Sequence, residues 1–167
     1  MANRFALQLE ECGTSAGKID LDASVWIDGK LLDQPFYINL PDLIHSIHVP
    51  GEYDIFVCGC GSAGCAGAAT VLVSHEGEQI GWRWRLPVLD SGQDSDPNAP
   101  VTTIPVEFVF ERRQVIEAMA SFVAAARKLM GARPDRYDWP VAGLFAKDLI
   151  ALDPSKPYYA RRLVSPR

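Results

Sequence analysis

The sequence predicts an α+β fold, an antiparallel β meander with one long helix packed on one face. Two patterns carry this expectation: strict two-residue alternation of apolar and polar residues over 19–27, and helical spacing of apolar residues over 111–130. The third observation is bulk. A chain of 167 residues, 48% hydrophobic and 22% charged, suits a single domain, 1–167, whose core buries roughly 70% of the unfolded surface.

Ile19, Leu21, Ala23, Val25 and Ile27 alternate with Asp20, Asp22, Ser24, Trp26 and Asp28, so one face of this strand is buried and the other wet. Asp28-Gly29 suits a type I′ turn, in which both central residues need positive φ, and the expected return strand covers 30–38. Pro35 makes that strand irregular or places it at an edge. A short helix near 41–48 follows, with Pro41 in its first turn, Asp42 near its positive end, and Leu43, Ile44 and Ile47 on one face. Val49-Pro50-Gly51 breaks it. Strands are expected at 53–60, 65–74 and through Ile80, Trp82, Trp84 and Leu86, with a turn at Glu76-Gly77. Residues 90–100 hold almost nothing that can be buried and read as an exposed loop, before a strand at about 101–110.

The long helix, about 111–130, places Val115, Ile116, Met119, Phe122, Val123, Ala126, Leu129 and Met130 at helical spacing. Arg127 and Lys128 suit its negative end, and Gly131 with Pro134 supplies the stop. Its alanines permit close approach to a sheet. The five prolines beyond residue 131 make 132–167 an irregular C-terminal extension, with a helical turn or two over 141–150.

Charge is distributed unevenly. Residues 1–110 hold 5 Lys/Arg against 15 Asp/Glu, a balance of −10, whereas 111–167 hold 11 against 6, a balance of +5. Either the basic C-terminal part docks on the acidic sheet, or one of the two meets a partner, including a second copy of the chain. A pI of about 5.1 argues against a nucleic-acid partner. No run reaches the roughly 18 apolar residues of a membrane helix, and the apolar run within residues 1–10 is too short for a secretion signal, so a cytoplasmic protein with no membrane partner is expected.

Cys58-Gly-Cys60-Gly-Ser-Ala-Gly64-Cys65-Ala-Gly67 gathers three of the four cysteines and four of the thirteen glycines into ten residues. In a strand Cys58 and Cys60 share a face, and a turn over 61–64 returns Cys65 opposite Cys60. Buried cysteines act as small hydrophobes over a tight glycine turn. The alternative is zinc, held by Cys58, Cys60 and Cys65 with Cys12 or His75 as the fourth ligand, although C-x-C-x4-C is not the usual paired C-x2-C. A redox pair of Cys60 and Cys65 has no nearby cation to lower a thiol pKa. Gly59-Cys-Gly61-Ser-Ala-Gly64 spells G-x-G-x-x-G, but Thr70-Val-Leu-Val73 favours a strand where the dinucleotide fingerprint needs a helix.

The run from Asp54 through Cys58 to Gly67, with its C-G-C-G-x-x-G-C-A-G segment, resembles one found in small bacterial proteins of unassigned activity, some of them similar to immunity proteins of toxin systems. The resemblance implies an α+β bacterial protein that works by binding a partner, and it transfers no catalytic residue.

Other constellations are incomplete. His75-Glu76-Gly77-Glu78-Gln79 has Gln where a zinc protease needs its second histidine. His45 and His48, three apart, have spacing that allows a metal ion. Asp90, Asp94 and Asp96 miss the calcium-loop pattern. Neither G-x-x-x-x-G-K-[ST] nor G-x-S-x-G occurs. Trp82 and Trp84 take one strand face, Arg83 and Arg85 the other, the arginines being able to pair with Asp20, Asp22 or Glu107.

Trp26 shares its face with aspartates, and tryptophan is enriched at binding hot spots. The expected function is therefore non-catalytic protein binding, possible immunity-type binding included, through Trp26, Asp20 and Asp22, with no cofactor. The alternatives are a small zinc protein built on the cysteine segment and an enzyme of an unrecognised family.

Overall fold

The computed structural model describes residues 1–32, 37–57, 70–87, 103–138 and 146–158. Their order is β1 (Phe5–Ser15), β2 (Lys18–Ile27), β3 (Lys30–Leu31), β4 (Tyr37–Ile38), α1 (Leu40–His48), β5 (Gly51–Tyr53) and β6 (Phe56–Val57). There follow β7 (Val71–Glu76), β8 (Gln79–Pro87), β9 (Thr103–Glu111), α2 (Arg112–Met130), a 3-10 turn at Pro134–Arg136, β10 (Tyr137–Asp138) and α3 (Ala146–Leu149). The fold is α+β, with antiparallel sheets, one long helix and one shorter helix. No helix among the described residues is long and apolar enough to cross a membrane.

β1 and β2 form a hairpin closed by Ala16 and Gly17, both at positive φ (48° and 80°), as a two-residue turn between right-twisted strands requires. Leu21, Ala23, Val25 and Ile27 are buried on one side of β2, and Phe5 and Leu7 on the same side of β1. The turn at Asp28-Gly29 forms as its sequence predicts, with φ of 53° and 75°. The return strand is much shorter than 30–38: β3 ends at Leu31, and β4 pairs with β6 instead. Burial explains the exchange of partners, since Ile38 lies opposite Phe56 and both are almost wholly buried. β10 joins the far edge of β2 in parallel, Tyr137 beside Ile19.

The second sheet runs β5-β7-β8-β9, each neighbour antiparallel. Its inner face carries Val71, Val73, Ile80, Trp82, Trp84 and Phe110. Phe5 reaches across from the first sheet and meets Trp82 and Phe110 edge-on, ring centroids 5.6 and 5.5 Å away. Such edge-to-face pairs contribute about 0.5–1.5 kcal/mol beyond area burial. Asn3 ties the sheets directly, its N–H donating to Val109 O at 2.6 Å and its Oδ1 accepting from Val109 N at 2.9 Å.

α1 starts at Asn39, whose Oδ1 accepts from Asp42 N, and buries Leu40, Leu43, Ile44 and Ile47. α2 buries Val115, Met119, Phe122, Val123, Ala126 and Met130, and stops at Gly131 with φ 53°. Gln114 lies in one cleft with Arg4 and Phe5, while Tyr137 Oη donates to Leu129 O. The helix therefore packs chiefly against β1, and the Tyr137 side chain reaches its last turn.

The chain after α2 docks on the helices. His45 Nδ1 and His48 Nε2 donate to Tyr158 O and Pro154 O, each at 2.9 Å. Arg127 donates to Ile150 O and Leu152 O. Among the described residues this attachment uses backbone carbonyls and β10.

Candidate interaction face

Alternation along β2 turns Asp20, Asp22, Ser24 and Trp26 away from the core, because Leu21, Ala23, Val25 and Ile27 occupy the other parity. Residues directly opposite in a sheet share a face. Register thus puts Ala6, Trp26 and Leu31 in one row across three strands, Gln8 and Ser24 in the next, and Glu10 and Asp22 in the third. Asp20 follows, flanked by Gly13 and by Asp138 of β10. One end of the face is apolar, with Leu31 48% exposed; the other is acidic.

This juxtaposition costs stability, since like charges directly opposite repel. Partial burial raises the Asp22 carboxyl above the usual aspartate range; the Ala23 N–H, donating at 2.7 Å, works the other way, and Glu10 adds to the rise. Ser24 Oγ donates to Glu10 Oε1 and holds that side chain over the strand. Cys12 is exposed at a bulge between Glu11 and Gly13. Partial cover of its sulfur, then Asp22, Glu10 and Asp20, push the thiol up, which keeps it protonated.

Trp26 is half-buried, and its Nε1 has no hydrogen-bond partner among the described residues. It borders an open cleft of about 410 Å³, lined also by Arg4, Ala6, Asp28, Gly29 and Gln114. Asp28 is held there by two donors, the Arg4 N–H and Asn3 Nδ2, each at 2.8 Å, which set its carboxyl below the usual range.

The structure brings together the three residues expected to contact a partner, Trp26, Asp20 and Asp22. Glu10, Leu31 and Asp138 join them, found by register rather than by any motif. Of the candidate zinc ligands, Cys58, Cys60 and Cys65 lie outside the described residues. His75 has both ring nitrogens engaged, Nε2 donating to Ser46 O at 2.8 Å and Nδ1 accepting from Arg112 Nη2 at 3.2 Å. That assigns the Nε2–H tautomer and ties β7 to α1 and to the start of α2. Among the described residues no group of three His, Cys, Asp or Glu is arranged to hold a metal ion. The loop carrying Asp90, Asp94 and Asp96 lies outside the described residues as well. Arg83 pairs with Glu107 across β8 and β9 at 2.8 Å, and not with Asp20 or Asp22, which belong to the other sheet.

The fold and face define an α+β protein with a joined acidic and aromatic sheet surface. Compared with protein-family models, curated proteins and solved structures, the chain matches none.

Proposed function

We propose that the chain is a non-catalytic protein-binding module whose β1–β2 face engages a basic partner. The observation that supports this most is the in-register placement of Glu10 opposite Asp22, two rows from the Trp26–Leu31 pair. Carboxylates set side by side destabilise the free protein, and a cationic partner converts that cost into attraction and faster encounter. Trp26 and Leu31 add apolar area at the adjoining end, where an aromatic anchor contributes most. Partner binding, which the resemblance to immunity proteins implies, is one use of such a face.

The test is comparative capture on immobilised full-length chain, wild type against Trp26→Ala and against Glu10→Gln/Asp22→Asn. The expected result is a basic protein retained by the wild type, released in 1 M salt where the screening length is about 3 Å, and weakened by both variants. Retention that ignores salt and both variants refutes the proposal.

A further inference from the structure

The strand at the edge of this face carries a second feature. In an antiparallel ladder, alternate residues direct both backbone polar groups toward the neighbouring strand and the others direct them away. Asp28 N donates to Arg4 O at 2.8 Å, and the register continues without slippage from Phe5↔Ile27 to Glu11↔Leu21. Arg4, Ala6, Gln8 and Glu10 therefore turn their N–H and C=O groups to β2, while Phe5, Leu7 and Leu9 turn theirs outward. Asn3 shows the same parity, its N–H pointing outward to Val109 O. Beyond Asn3 the outward edge of β1 has no strand partner among the described residues.

Of the other sheet-edge strands, β3 and β10 have two residues each and β5 three; β9 has nine but meets Asn3 at Val109, whereas β1 has eleven. A long open edge is the feature that folded proteins otherwise shorten, cover or charge, because it templates another strand. α2 packs against β1, where Phe5 and Leu7 are buried, while Gln8 and Glu10 to Thr14 are exposed and Leu9 is half-buried. The edge is therefore open toward the hairpin tip, until the bulge at Cys12 interrupts it.

We infer that this edge takes an extended cationic segment of a partner protein as an added strand, antiparallel or parallel to β1 over Leu7–Glu11. The inference rests on the proposed binding of a basic partner, and specifies its chemistry. Residues of the added strand beside Gln8 and Glu10 fall on the acidic face, where Lys or Arg is favoured; those beside Leu7 and Leu9 fall on the core side, where apolar residues are favoured. The recognised pattern is Lys/Arg alternating with Val or Ile. The same carboxylates oppose a second copy of this acidic hairpin, which charge alone would repel.

Amide hydrogen exchange on the full-length protein tests it, with an acetylated and amidated hexapeptide alternating Lys and Val as the probe. A peptide of the same composition in two blocks, Lys then Val, is the control. In the free protein the Leu9 amide is expected to exchange at least about tenfold faster than those of Gln8 and Glu10. The alternating peptide is expected to slow Leu9 about tenfold or more, leave Gln8 and Glu10 unchanged, and bind more tightly than the block peptide. Leu9→Pro, which removes an outward N–H and no ladder bond to β2, is expected to weaken binding about tenfold beyond Leu9→Ala. Binding without protection of Leu9 overturns the added strand while leaving the acidic-face reading intact; absence of binding overturns both. Protection of Leu9 in the free protein, through dimers or otherwise, also overturns the inference. Should Leu9→Pro fail to fold, the exchange pattern of the wild type decides.

Discussion

Asp22→Asn should make the protein more stable at neutral pH. The ordinary aspartate value is 3.8, and partial burial with Glu10 opposite holds Asp22 above it in the folded state. Below pH 3.8 the carboxyl is protonated in folded and unfolded chains alike, and no penalty exists. As pH rises through the folded value the proton leaves, and the folded chain alone bears a poorly hydrated charge facing another carboxylate. Stability is thus lost over that window and stays lost above it. Because Asp22 is only half covered and solvent screens it, the penalty is about 0.5–1 kcal/mol, corresponding to about 1–4 °C in Tm for a chain of this size. Asn keeps Oδ1 as the acceptor for the Ala23 amide, so the hydrogen bond at 2.7 Å survives. Urea titrations followed by tryptophan fluorescence, from pH 3 to pH 8, measure the gap between variant and wild type. A gap that is absent at pH 3, opens with rising pH and narrows in high salt is expected. A variant less stable at pH 7, or a gap independent of pH, would refute the account of the acidic row.

Trp82→Ala removes a ring packed against Phe5, Phe56, Trp84 and Phe110, so a loss of about 3–5 kcal/mol is expected in chemical denaturation. Ala16 occupies the left-handed region at φ 48°, which costs a residue with a Cβ about 1 kcal/mol, and Ala16→Gly should recover roughly 0.5–1 kcal/mol. Replacing His45 and His48 together by Ala deletes two hydrogen bonds to the 150–158 segment; limited proteolysis should then cut that segment first, with a loss of about 1–3 kcal/mol. Asp153 accepts from Ser155 Oγ, Lys156 Nζ and Ser155 N, which hold its carboxyl down to about 2. A carboxyl-detected NMR titration should place its midpoint there, and Ser155→Ala should move it up toward 3.8.

Periodicity made the main elements legible. The alternation through Ile27 and the helical spacing through Met130 report how each residue is buried, and burial is what forms β2 and α2. Phe5, Leu7 and Leu9 carry the same alternation against Ala6, Gln8 and Glu10, but a short run beside the more regular β2 reads as a strand only once a partner is known. Pairing depends on contacts distant in sequence, so the transfer of Tyr37 and Ile38 from β2 to β6 has no local signature. The candidate face was partly legible: parity placed Trp26, Asp20 and Asp22 together, whereas Glu10 and Leu31 required the register of β1 and β3. The parallel approach of Asp138 to Asp20 joins segments distant in sequence and likewise has no local signature.

Asn3 joins the two sheets across 106 positions of sequence, and this sets a timetable for folding during translation. At about 5–20 residues per second, the β1–β2 hairpin emerges several seconds before Val109 exists to receive it. For that interval Phe5, Leu7, Val25 and Ile27 have neither the second sheet nor α2 to cover them. The ribosome therefore releases a half-built protein with an apolar hairpin face bared, and chaperones that hold nascent chains have their clearest target at its earliest folded element.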